Sequence, residues 1–294
     1  MAAAAADRPL AGMLLMSLAV ALLTAMDGTA KYLVRDYPLW QVVWARYTFN
    51  FLGLLPIIAW LRQPAWQSRA PGLQLARVAA LVAATYTMFL SLKWLPMAET
   101  YAVAFTSPLL VALLAGPALG ERVPPHRWAA AAAGFLGVLV VLRPGSGLFG
   151  AAAFAPLAMA FAFALYQLAT RALGARDTVF TTMFWSAGLG ALVTAPLLPA
   201  NWNTPEAAGW SLMILMGLLG LGAHLAMIQA FALGAASLVS PFLYTQIVWA
   251  ILFGYLVFGD LPDRWTLAGA ALVVASGLWL LWRETGRRSP AARR

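Results

Sequence analysis

Long apolar runs separated by short polar breaks make up the chain. Runs of about twenty residues recur ten times, near 11–34, 38–61, 73–92, 97–119, 127–143, 148–172, 178–199, 209–232, 236–258 and 264–283. A helix needs about 20 apolar residues to cross a hydrocarbon core, so each run predicts one transmembrane helix. Turn-forming residues mark the gaps: Arg35 to Pro38, Gln63 to Gly72, Gly120 to Pro125, Arg143 to Gly145, Asn201 to Glu206 and Gly259 to Asp263. The faintest gap is Gly234-Ala235-Ala236. A barrel strand would alternate apolar and polar residues, whereas Leu73–Leu92 and Trp265–Trp282 are almost continuously apolar. The first run, at more than 20 residues, is too long for the core of a signal peptide. The predicted class is an all-α membrane protein with ten transmembrane helices.

Composition narrows the function classes. Of 294 residues, 63% are hydrophobic and 10% charged. So few polar residues cannot cover a water-soluble surface, and so much apolar sequence excludes disorder. The chain has no cysteine and two histidines, His126 and His224, which removes thiolate chemistry and leaves no basis for a metal site. No Walker A run is present, and neither histidine has carboxylate neighbours in sequence, so an enzyme is not expected. No cofactor is expected either.

The net charge of +9 would suit nucleic acid in a soluble chain. Its distribution argues instead for topology. With the N-terminus in the cytoplasm, 13 basic residues, Arg77 among them, fall on the inner side and 4 on the outer. That bias is the positive-inside pattern. It predicts a multi-pass membrane protein with both termini cytoplasmic and no nucleic-acid partner.

The two halves resemble each other. A shift of 139 residues brings Gly120-Glu121 onto Gly259-Asp260, Phe105-Thr106 onto Tyr244-Thr245 and Ala115 onto Gly254. Near the half starts, a shift of 140 puts Lys31 on Arg171. Five spans per half force the second copy into the membrane from the opposite side, the inverted repeat of many secondary transporters. The organisation expected is a first five-helix repeat at 1–145, a second, inverted one at 146–284 and a basic tail at 285–294.

Arg46 in the second span, the stretch Pro108 to Arg122, its recurrence from Trp249 to Asp260, Trp265 and the glycine-rich last span together carry a family resemblance. The chain resembles the drug/metabolite transporter superfamily, in its EamA-type branch of ten-helix transporters, and within it looks most like bacterial inner-membrane amino-acid exporters. The resemblance covers about residues 10–284. It implies two inverted halves around a central solute path, and a cargo drawn from amino acids, other metabolites, nucleotide sugars or drugs. The second half departs from the pattern, because the position matching Arg46 is Ser186.

Ionisable groups inside spans are costly and therefore informative. Asp27 and Lys31 share a face of the first span, and Arg46 and Asn50 one of the second. These four could meet a zwitterionic solute, with Arg46 gripping a carboxylate, or form a structural lock between the two helices. Asp27 is also a candidate carrier of a coupling proton. Glu99 fits a helix N-terminus; Glu121 and Asp260 fit caps, or partners of Arg127 and Arg264. Tyr101, Phe105 and Pro108 stack on one face of the fourth span, and Pro241 and Tyr244 on one of the ninth. Pro108 and Pro241 are candidate kinks and gates. Trp44, Tyr86, Tyr166, Gln167, Trp185, His224 and Gln246 complete the candidate path. His224 is either a hydrogen-bonded bundle histidine or a cavity group. The partners expected are the bilayer and a small-molecule substrate, an amino acid or similar metabolite. The function expected is export of neutral or aromatic amino acids by alternating access. A drug or other metabolite carrier, in either direction, is the alternative.

Overall fold

The computed structural model describes residues 8–62, 64–119, 123–143, 151–174, 176–199 and 202–286. The Gly120-Glu121 part of the repeat, Arg122, the junction at 145–146 and the tail from Arg287 onward lie outside these residues.

Twelve helices are present among the described residues: α1 (Pro9–Asp36), α2 (Leu39–Leu61), α3 (Pro71–Trp94), α4 (Met97–Ala104), α5 (Ser107–Leu119), α6 (Pro125–Leu142), α7 (Ala151–Leu173), α8 (Val179–Thr194), α9 (Ala207–Leu233), α10 (Ala236–Val239), α11 (Gln246–Phe258) and α12 (Arg264–Gly286). They form ten spans long and apolar enough to cross a membrane. Proline sets several of the ends. Tyr37 and Leu95 are extended, with φ −118° at both, because each precedes a proline that bars the helical conformation. Prolines at the first turns of α1, α3 and α6 lack only an N–H that a helix start leaves unbonded.

Two spans are discontinuous, and they are partners under the repeat. α4 stops at Ala104 and α5 resumes at Ser107. Pro108 is the cause: it cannot donate to the Ala104 carbonyl four residues back, and its ring collides with that carbonyl. In the ninth span, Ser240–Thr245 is a 3-10 segment containing Pro241, and α11 follows it.

The helix pairing obeys an approximate two-fold axis. The main packing partners are α1 with α9, α3 with α7, and α6 with α12. Exchanging the halves converts the first pair into the second and returns the third to itself. Each half holds five spans, so this axis lies in the membrane plane and the repeat is inverted. Lipid provides no hydrophobic drive for helix association, so close backbone approach must hold the bundle. At the α6–α12 crossing a Cβ added to Gly137 would lie 2.8 Å from the Gly269 carbonyl oxygen. Large apolar side chains such as Leu14, Trp60, Leu192 and Leu256 point outward, as a lipid-facing surface requires.

Candidate substrate site

Two cavities lie side by side in the bundle and share Arg46 and Leu81 as a common wall. The larger, about 700 Å³, is bounded by α1, α2, α3, the α4–α5 break, α7 and α11. Its lining mixes aromatic rings (Phe89, Tyr101, Phe105, Phe163) with polar groups (Asp27, Arg46, Thr85, Gln246). The Tyr101 hydroxyl donates to Asp27 Oδ2, and Gln246 Nε2 donates to the Tyr101 oxygen at 3.3 Å. This chain of polar groups crosses from one half to the other. Asp27 is only 6% exposed.

Arg46 donates to Thr85 Oγ1. The neighbouring Tyr47 hydroxyl lies 2.7 Å from the same Oγ1 and donates to the Leu81 carbonyl at 3.1 Å. The guanidinium also rests near the Tyr47 and Phe89 rings, 5.3 and 5.9 Å from their centroids.

The second cavity, about 440 Å³, is lined by Arg46, Tyr47, Asn50, Arg77, Tyr166, Ser186 and His224, with Leu81, Met183 and Ala187. Arg77 corrects the sequence reading, which counted it only among the inner-side charges that set topology. It sits inside α3, 4% exposed, and reaches into the second half of the chain. Its Nε donates to Thr170 Oγ1 at 2.7 Å, Nη1 to Ser186 Oγ at 2.6 Å and the Thr182 carbonyl at 3.4 Å, and Nη2 to the Tyr166 hydroxyl at 2.8 Å. Removing Arg77 from the inner count leaves 12 basic residues against 4, and the bias stands. The clue was available: a basic residue at the fifth position of an apolar run costs enough to demand a reason.

Asp27, Arg46, Asn50, Tyr101, Phe105, Tyr166, His224 and Gln246 thus line one cavity or the other. Trp44, Tyr86, Glu99, Gln167, Trp185, Tyr244, Pro108 and Pro241 line neither of these two. Trp44 packs edge-on against Trp202, Tyr86 stacks on Trp40 at 4.3 Å, and Trp185 donates to the Trp66 carbonyl at 3.2 Å. Tyr244 stacks against Phe105 behind the larger cavity. His224 Nδ1 lies 2.7 Å from the Gly220 carbonyl one turn back.

The pairing open to Asp27 and Lys31 does not form. Asp27 takes Tyr101, whereas Lys31 leaves the cavities and donates to Asp260 Oδ2 at 3.1 Å and the Leu95 carbonyl at 2.9 Å. Asp260 therefore neither caps α12 nor pairs with Arg264. Asp263 is the cap, accepting from Thr266 N at 2.8 Å, and Arg264 lies over the Trp265 ring. That bond, followed by the nearby Arg143 charge, holds the Asp263 carboxyl below its ordinary value. Glu99, in the first turn of α4 as expected, accepts from Thr266 Oγ1 at 3.4 Å. Lys31–Asp260, Glu99–Thr266 and Arg143–Asp263 (2.5 Å) all join the two halves at the face opposite the chain ends.

A matching clamp closes the face that carries the chain ends. Asp177 accepts from Ser68 Oγ at 2.6 Å, Arg69 N at 2.8 Å and Gln74 Nε2 at 2.8 Å, tying the α2–α3 loop to the α7–α8 loop. Burial works to raise its carboxyl, but the bonds from Ser68, Arg69 and Gln74 and the Arg69 charge outweigh it and hold it below the usual carboxylate value. Among the described residues no group of three or more His, Asp or Glu side chains could hold a metal ion.

The site therefore consists of a chamber lined by aromatic, aliphatic and a few charged side chains at the junction of two inverted halves, with polar ties at both faces. A family model, the EamA-like transporter family, matches the chain twice, over residues 10–143 and 150–282. The chain belongs to the EamA-like transporter family. This transporter is 31% identical over 289 residues to a riboflavin transporter of Rhizobium johnstonii, covering 97% of this chain and 96% of that one. It is 25% identical to an S-adenosylmethionine uptake transporter of Rickettsia conorii, with 89% of each chain covered. A pseudopaline exporter of Pseudomonas aeruginosa is 27% identical, with 94% and 97% covered. A solved crystal structure superposes on it with a TM-score of 0.64 over 94% of this chain and 98% of the other, at 19% identity, a likeness of fold. The protein is a multi-pass membrane transporter with a small-molecule cargo.

Proposed function

We propose that this transporter is a secondary carrier of a bacterial inner membrane that moves a small, ring-bearing polar metabolite by alternating access. The two five-helix halves (1–145 and 146–284) rock about the α6–α12 crossing, with both chain ends in the cytoplasm. The larger cavity carries the reading: its aromatic rings suit a flat ring, and Asp27, Arg46, Thr85 and Gln246 among them supply polar groups suited to the rest of the solute. The polar ties at the two faces are the contacts that must break in turn. Asp27, buried and held by one hydroxyl, is the candidate for a coupling proton.

Riboflavin is the first solute to test, since it joins a planar ring system to a polyhydroxyl chain and a relative named for it shares 31% identity along nearly the whole chain. Neutral or aromatic amino acids are the second, favoured by the opposite charges of Asp27 and Arg46 on one cavity wall. The test is counterflow in proteoliposomes. Labelled riboflavin, phenylalanine and tryptophan are supplied outside vesicles preloaded with the same unlabelled solute, with and without a proton gradient. Uptake of at least one above empty vesicles is expected, reduced about tenfold or more in Arg46→Gln. Asp27→Asn should abolish any response to the gradient. Uptake of none of the three sinks the substrate assignment.

A further inference from the structure

The smaller cavity has an unusual charge balance. Two guanidinium groups, Arg46 and Arg77, line it, and no carboxylate does. Among the described residues no Asp or Glu oxygen lies within 4.0 Å of either. Asp27, the one carboxylate of the neighbouring cavity, is engaged by Tyr101. A buried cation without a counter-charge is costly in a membrane-embedded site. A charge serving structure alone would be held more cheaply beside a carboxylate.

The partners of Arg77 are all neutral. Three hydroxyls and a carbonyl fix the guanidinium in place without cancelling its charge. A guanidinium has five N–H donors; these bonds engage four of them, and one on Nη2 remains. Arg46 gives a single hydrogen bond, to Thr85, and keeps most of its donors. The two arginines also lie along one line. Arg77, Leu81 and Thr85 follow each other at intervals of four on α3, and Arg46 is fixed at the Thr85 end. At 1.5 Å per residue the two ends of this line are about 12 Å apart. Arg77 stands at the end nearer the face with the chain termini.

We infer that the Arg46–Arg77 cavity is a seat for an anionic group of the transported solute, a carboxylate or a phosphate, held first by one guanidinium and then by the other along α3. This rests on the carrier reading and adds to it the charge class of the cargo. With Asp27 included, the two joined cavities hold two fixed positive charges against one negative. A solute with one net negative charge neutralises the sum, and a zwitterion whose carboxylate enters the smaller cavity offsets one of its two positive charges.

The experiment is isothermal titration of the full chain in detergent with two matched pairs: flavin mononucleotide with riboflavin, and phenylalanine with phenylalaninamide. The first pair differs by a phosphate, the second by a carboxylate charge. In the wild type the anion-bearing member of at least one pair should bind about tenfold more tightly, the scale of one charge-assisted hydrogen bond. Which pair responds tells phosphate from carboxylate. Arg77→Gln should reduce that preference to near unity, chiefly by weakening the anion-bearing member. Arg77→Lys, which keeps the charge and loses the fork, should give an intermediate value and guards against misfolding of the first variant. Equal binding within both pairs, no binding of any of the four, or a preference that survives both Arg77→Gln and Arg46→Gln overturns the inference. Counterflow separates it from the carrier reading: riboflavin movement without anion preference leaves the carrier and removes the anion seat, while anion-selective binding without movement does the reverse.

Discussion

The rings of Phe105 and Tyr244 stack with centroids 5.3 Å apart and planes tilted by 36°. The two residues are exact counterparts under the 139-residue shift between halves. Counterparts can touch only where the two-fold axis passes between them, so this contact locates the axis beside the larger cavity. Such a ring pair contributes about 0.5–1.5 kcal/mol beyond its buried area. A double-mutant cycle with Phe105→Leu and Tyr244→Leu, read by thermal denaturation in detergent, should return a coupling of about 1 kcal/mol. Additive single effects would show that the rings are mere neighbours.

Pro108 interrupts the fourth span by leaving the Ala104 carbonyl without its helical donor. Pro108→Ala supplies that donor and removes the clash. The variant should melt at the same temperature as the wild type or higher, yet transport several-fold more slowly, because a continuous helix cannot bend at Phe105. Unchanged flux in a stable variant would remove the gating role of this break.

Lys31 is 8% exposed and satisfied by Asp260 and the Leu95 carbonyl, with the Phe258 ring 5.1 Å away. Removing one partner of a buried ion pair costs more than removing both. Lys31→Met should lower stability by about 1–2 kcal/mol, a range reduced because Asp260 is partly exposed. Adding Asp260→Asn should recover most of the loss. A double variant as unstable as the single would mean that packing of the lysine stem, not the charge pair, holds this face.

The Asp177 clamp has a defined pH signature. Its carboxyl is held below the ordinary value of 3.8, so its stabilisation is complete above that pH and fades as the pH drops below it. Asp177→Asn should melt about 2–4 °C lower than the wild type near pH 7. Melting curves on the acid side of 3.8 should converge. A gap that persists there would assign the stabilisation to contacts that do not depend on charge.

The ten spans were legible because a bilayer demands apolar length and prolines and glycines punctuate it; the helix ends fall within a few residues of the expected ones. The repeat was legible too, though part of it lies in residues outside the described set. Partner choice was not legible. A spacing of four put Asp27 and Lys31 on one helical face, but each is closer in space to a side chain from elsewhere, Tyr101 and Asp260. Arg77 misled for the same reason. Its depth could be read from its position in the run, but its partners Tyr166, Thr170 and Ser186 are 89, 93 and 109 residues further on. Charge counting along the chain treats such a residue as a topology marker, and only the packing of α3 on α7 and α8 makes it part of a cavity.

The bond from Arg77 to Ser186 also governs which halves can pair. Ser186 stands where the first half has Arg46, and Met216 stands where it has Arg77. Two copies of the first half, docked in the same way, would set each Arg77 against the other copy's Arg46, guanidinium against guanidinium. Two copies of the second half would bring Ser186 against Met216 and leave the cavity without a cation. Only the unlike pair reproduces the bond from Arg77 to Ser186. Expressed separately, the halves should recombine with each other but not with themselves.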